Sequence, residues 1–126
     1  MTAPRFEANP PGPGPRVQGF AGRSFLVDGA PYESVLLTPE RAARWEAPAL
    51  DRLEPAHVES LLALEPPPEF LILGTGAAQA FPPRGFVAAL EAMDIGVEAM
   101  DSRAAARTWA MLRGEGRWIV AALMPL

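Results

Sequence analysis

Residues 70–83 read FLILGTGAAQAFPP. The run Phe70–Leu73 is too apolar to be half exposed and predicts a buried central strand. It ends in Gly74-Thr75-Gly76, which raises the question of a phosphate loop. A dinucleotide fingerprint needs G-x-G-x-x-G opening directly into a helix. Here Gln79 stands where the third glycine belongs. Phe81-Pro82-Pro83 then holds the next helix several residues away, so its N-terminus cannot lie beneath a pyrophosphate. The stretch reads as a strand leaving its sheet through a tight turn, where glycine permits close packing. What it leaves open is a small-ligand or anion nest built from backbone N–H groups and Thr75.

The pattern continues on both sides. Downstream, Pro83 to about Asp94 predicts a helix with Phe86, Val87, Leu90 and Met93 inward, ended by Gly96. Val97–Met100 follows as a short strand. Asp101 or Ser102 caps a helix to about Arg113, with Ala105, Trp109 and Leu112 as its apolar stripe and Arg103 and Arg107 on another face. After the turn Gly114-Glu115-Gly116, WIVAALM (118–124) predicts a last buried strand. Upstream, Pro55–Leu64 predicts a helix ended by Pro66-Pro67-Pro68. Thr38-Pro39-Glu40 resembles a helix start, predicting a short helix from Glu40 to about Glu46 before Pro48. Before that, Phe20–Val27, the Asp28-Gly29 turn and Tyr32–Leu37 predict an N-terminal β-hairpin. Residues 1–16, which include NPPGPGP, read as a mobile Pro/Gly-rich tail before a single domain over 17–126. The order β-β-α-α-β-α-β-α-β predicts an α/β domain around a mixed β-sheet.

Composition narrows the chemistry. The chain has 126 residues, fitting one domain that buries roughly two-thirds of its unfolded surface. It has no cysteine, and all eleven basic residues are arginine. Thiolate nucleophiles, thiolate metal sites, Schiff bases and a P-loop lysine are therefore excluded. One histidine, His57, makes no metal cluster; its spacing with Leu61 and Leu64 places it at the boundary of an apolar helix face. Ser34 has no base nearby in sequence. No catalytic set emerges and no cofactor is expected, so the chain reads more as a non-enzyme than an enzyme. The net charge of −4 argues against nucleic acid as a partner. No apolar run approaches the roughly 20 residues needed to span a bilayer, and the head has no signal-peptide pattern. A cytoplasmic location is the expectation.

In open α/β sheets ligands bind beyond the carboxyl ends of the strands. If the strands ending at Gly74 and Met100 are parallel neighbours, Gly74, Thr75, Gly76, Asp101 and Ser102 meet at one edge as a candidate ligand crevice. Phe81 and Arg84 form a candidate partner patch, an aromatic beside an arginine. Arg107, Glu115 and Arg117 are candidate structural or site-supporting residues. Asp101 also has the simpler reading of a helix N-cap.

The chain resembles a known family. FLILGTG and then VEAMDSRAAARTWAMLRGEGRWIVAAL (97–123) are similar to the Mth-like family of small proteins of largely unknown function. That family includes the adipogenesis-associated Mth-like protein and mitochondrial complex I assembly factor 3. Gly19-Phe20, Asp28-Gly29, Tyr32, Ser34-Val35-Leu36, Pro39 and Trp45 agree with it. The specific part is Met100-Asp101-Ser102, Arg107-Thr108-Trp109 and Glu115-Gly116-Arg117. Two positions depart: Ser102 stands where the family usually has threonine, and Trp109-Ala110 where Tyr-Asn commonly follows Arg-Thr. The resemblance implies a three-layer α/β domain with no established enzymatic activity. It also implies a protein partner, with links to assembly of a membrane complex or to protein export, and leaves homo-oligomerisation open. The expected function is thus a non-enzymatic interaction or complex-assembly factor; the alternative is a small-molecule or anion binder at the Gly74-Thr75-Gly76 edge.

Overall fold

The computed structural model describes residues 14–126. Of the tail expected over 1–16, residues 1–13 lie outside the described residues. Of the rest of that segment, Pro15 is buried, and the N–H of Arg16 donates to Asp28 Oδ1 (3.0 Å).

The first three strands, β1 (Val17–Ala21), β2 (Ser24–Val27) and β3 (Ala30–Tyr32), form an antiparallel sheet in that order. The expected hairpin is present, turning at Asp28 (φ 50°) and Gly29 (φ 82°). These are the left-handed angles of a two-residue hairpin turn. Each of its predicted arms is divided, however. Gly22 (φ 64°) turns the chain inside Phe20–Val27, so β1 and β2 are separate strands. A corner at Glu33-Ser34 divides Tyr32–Leu37. Tyr32 pairs with Phe25, whereas Val35 pairs with Leu123 in another sheet. The Ser34 hydroxyl fixes the corner by donating to the Trp45 carbonyl (2.6 Å).

That second sheet has five strands in the order β5-β4-β8-β6-β7. They are β4 (Val35–Leu37), β5 (Ala42–Arg44), β6 (Phe70–Gly74), β7 (Gly96–Met100) and β8 (Val120–Leu123). β6 pairs parallel with β7 and β8, while β4 pairs antiparallel with β5 and β8. The sheet is mixed, as expected, and FLIL is an inner strand. β5 replaces the short helix expected over 40–46. Thr38 Oγ1 does accept from the N–H groups of Glu40 and Arg41 (3.1 and 3.0 Å), as an N-cap would. The Thr38 N–H, however, donates to the Arg41 carbonyl (2.9 Å), closing a turn with Pro39 and Glu40 at its tip. Cap and turn use the same residue chemistry, and pairing with β4 decides between them.

The helices are α1 (Glu59–Leu62), entered through a 3-10 turn at Pro55–Val58, α2 (Arg84–Glu91) and α3 (Ser102–Gly114). Alternate residues of the central strands feed two cores. Leu71, Leu73, Val120, Ala122 and Leu36 pack with Val58, Leu61, Phe86 and Leu90 beneath α1 and α2. Ile72, Ala121, Leu123, Val35 and Leu37 pack on the other face with Ala105, Ala106 and Trp109 of α3 and with Phe25 and Val27 of β2. The result is three layers: α1 and α2, the five-stranded sheet, then α3 beside the three-stranded sheet. Met93, expected inward, is 48% exposed. α2 ends at Glu91, and the chain turns away through Asp94 (φ 63°) before the expected Gly96.

Parallel crossovers are right-handed. β6 to β7 steps outward through α2, and β7 to β8 steps back across β6 through α3. Opposite steps of one hand require opposite faces, which is why α2 and α3 flank the sheet. The carboxyl ends of β6 and β7 therefore form a topological switch point, the usual ligand position in such sheets.

Candidate functional site

At that switch point the sequence-predicted residues meet. Gly74 pairs with Met100, and α3 starts directly beyond. The Thr75 N–H donates to the Met100 carbonyl, and the Ser102 N–H to the Gly76 carbonyl (both 2.8 Å). Ser102 is fully buried. Its hydroxyl accepts from the Gly76 N–H and donates to the Met124 carbonyl, both at 2.8 Å. Thr75 Oγ1 contacts the Ala78 carbonyl (2.7 Å) and the Met100 carbonyl (3.1 Å) and accepts from the Ala80 N–H (3.2 Å). Asp101 caps α3 by accepting from the Ala104 N–H (2.9 Å). Thus the Ser102 hydroxyl ties the β6 exit to α3 and to the end of β8, the Thr75 hydroxyl bonds the loop after β6 and the end of β7, and the Asp101 carboxylate caps α3.

The glycines follow from that closeness. A Cβ on Gly74 would lie 2.7 Å from Ser102 Oγ and 3.0 Å from both Ser102 Cα and Leu123 Cδ2. Gly76 has φ 103°, a conformation that side chains disfavour.

Beyond the knot, residues 77–83 cross the surface to α2. The Gln79 side chain donates to the neighbouring Ala80 carbonyl (3.2 Å). Phe81 is 84% exposed, followed by Pro82 and Pro83, and Arg84 opens α2 on the solvent side. Pro82 and Pro83 restrict the backbone that carries this exposed aromatic.

Arg107, Glu115 and Arg117 are not brought to this edge. Arg117 donates from Nε and Nη2 to Glu69 Oε1 (3.0 and 2.8 Å), and the Trp118 N–H donates to Glu69 Oε2 (3.1 Å). The Arg117 guanidinium and that N–H hold the Glu69 carboxyl below the usual carboxylate range, and Glu69 in turn raises Arg117. His57 is exposed and accepts from the Glu54 N–H at Nδ1 (3.0 Å). Among the described residues no group of three or more His, Cys, Asp or Glu side chains is placed to hold a metal. Nor is any helix long and apolar enough to cross a membrane.

A second surface feature is built from elements distant in sequence. β1 lies alongside α3, and a groove of about 480 Å³ runs between them, lined by Val17–Phe20 and by Ala106, Arg107, Ala110, Met111, Gly114 and Glu115. Its trace in the sequence is two adjacent helical rows. Ala106, Ala110 and Gly114 are small, while Arg107, Met111 and Glu115 form the rim. Met111 is 58% exposed, an apolar residue off the buried stripe.

The comparisons with known proteins agree with this architecture. Residues 17–124 match the family described as protein of unknown function, DUF498/DUF598. An uncharacterized protein of Rhodobacter capsulatus is 34% identical over 122 residues, spanning 89% of this chain and 93% of that protein. A crystal structure from Bordetella parapertussis superposes with a TM-score of 0.81 at 31% identity, covering 93% of this chain and all of that one. A solution structure from Bordetella pertussis, described as a Mth938-like domain, gives a TM-score of 0.73 at 28% identity over 99% of this chain and 90% of that one. This chain belongs to the DUF498/DUF598 family of proteins of unknown function, and its fold is similar to that Mth938-like domain.

Proposed function

We propose that this protein is a non-enzymatic interaction module, a cytoplasmic assembly factor that engages a protein partner through the loop at Phe81 and Arg84. The observation that carries the reading is the 84% exposure of Phe81 on a loop anchored at Thr75 and at α2. Large aromatics and arginines supply most of the energy at protein interfaces when a partner buries them. The partner class is a subunit of a membrane complex or a component of protein export. The test compares wild type with a Phe81→Ser/Arg84→Glu double variant as baits in the native host. Both positions are exposed, so the variant keeps the wild-type unfolding midpoint. Loss of one reproducible partner from the variant supports the reading; equal recovery by both baits contradicts it.

A second reading places a small molecule or anion at Gly74, Thr75, Gly76, Asp101 and Ser102. Convergence of these residues at the switch point favours it. Their internal hydrogen bonds count against it, because a ligand would have to displace bonds already made. Isothermal titration with phosphate and with small dicarboxylates tests it. A saturable heat that Thr75→Val abolishes supports it, and no heat contradicts it.

A further inference from the structure

The groove between β1 and α3 lies apart from the Phe81 loop. We propose that it binds a medium-length alkyl carboxylate, with the chain along α3 and the carboxylate on Arg107.

The cavity fits in size and in chemistry. About 480 Å³ falls within the roughly 300–1,000 Å³ of small-ligand sites. Its lining is mainly apolar: Val17, Phe20, Ala106, Ala110 and Met111. The small residues create the room, since a Cβ built on Gly19 or Gly114 meets nothing within 4 Å. A half-exposed methionine on such a wall adapts to a flexible chain.

Charge sets the direction. Arg107 is exposed, and its guanidinium makes no hydrogen bond or ion pair among the described residues. Arg103 lies over the Phe20 ring, 5.0 Å from its centroid, and adds positive charge near the same end. Glu115 stands just past the far end of α3, where it acts electrostatically on Arg117. An anionic head is attracted to Arg107 and repelled by Glu115. Arg107 to Glu115 covers about 12 Å of helix rise, which suits a chain of roughly eight to ten carbons.

Among the described residues β1 stands at the edge of its sheet, a position that would otherwise invite an added peptide strand. β1 is irregular, however, with a register shift between Val17 and Gly19 and Gly19 at φ 146°. Such a bulge interrupts the regular row of edge donors and acceptors. The Gln18 side chain is also turned to the Gly29 N–H (2.6 Å). The groove therefore suits a ligand that needs packing and one ion pair rather than a ladder.

The experiment is titration of the ¹⁵N-labelled protein with decanoate below its micelle concentration, followed by backbone NMR, with decanol as the neutral control. The proposal expects saturable shifts confined to residues 17–20 and 106–115, with decanol bound about tenfold more weakly for loss of the charge-assisted pair. Arg107→Glu, at an exposed position, should weaken decanoate by at least that factor and leave decanol unchanged. Ala110→Trp should block both by filling the groove. The proposal is overturned by absence of saturable shifts in wild type. It is equally overturned by shifts centred elsewhere, or by equal affinity for decanoate and decanol or for wild type and Arg107→Glu.

Discussion

Gly74 shows at the scale of one residue what the glycine turn is for. The start of α3 lies against it so closely that even a methyl group would meet Ser102 and Leu123. Both neighbours are fully buried and cannot swing away. Gly74→Ala should therefore cost about 1–3 kcal/mol, as overpacking of cores does, read from a urea midpoint. An unchanged midpoint would show that α3 can withdraw. Trp109 presents the opposite case. It is fully buried, yet its indole N–H has no hydrogen-bond partner among the described residues. An unpaired buried donor costs about 1–3 kcal/mol, which offsets part of the ring's packing. Trp109→Phe should thus be nearly neutral in denaturant melts, whereas Trp109→Ala should lose about 3–5 kcal/mol. Equal losses in both variants would mean that the indole N–H is satisfied in solution.

Among the elements, the joint between the start of β6 and the start of β8 is polar. Glu69 receives three N–H groups from Arg117 and Trp118, and its carboxyl is held below the usual range. A carboxyl lowered on folding stabilises fully above its unfolded pKa of about 4.3 and loses that contribution as pH falls through the lowered folded value. Glu69→Gln should accordingly flatten the acid side of the stability profile. Wild type should lose more of its urea midpoint than the variant between about pH 5 and pH 3. Parallel profiles would show that the pair is too solvated to contribute, a real contest for an exposed bridge. The same scale explains which elements the sequence disclosed. FLIL, the capped α3 and WIVAALM were legible because burial, capping and apolar periodicity all pointed the same way. β5 was not, because Thr38-Pro39-Glu40 supplies cap chemistry that also builds a tight turn. Only Ala42–Arg44 pairing with β4 resolves the choice, and that pairing is non-local. The split of Tyr32–Leu37 between two sheets was hidden for the same reason.

Across the whole molecule, crossover handedness places α2 and α3 on opposite faces and creates a switch point where Gly74, Thr75, Gly76, Asp101 and Ser102 meet. Their meeting was readable only on the condition that the strands ending at Gly74 and Met100 are parallel neighbours, as β6 and β7 are. That Ser102 would be buried there, bonded to Gly76 and Met124, was not, because it depends on where the end of β8 passes. The groove beside β1 was equally hidden, since it exists only when two elements distant in sequence lie side by side. Among the described surface, Phe81 stands out as a large apolar side chain displayed to solvent, away from the hydrogen-bonded edge. Whether this loop engages a partner is read out by placing a photo-crosslinking phenylalanine analogue at position 81 in the native host. A matched probe at exposed Asp51 serves as the control. The expected result is one discrete adduct from position 81, absent at position 51 and lost when Arg84→Glu is added. No adduct at position 81, or the same adducts at both positions, would contradict it.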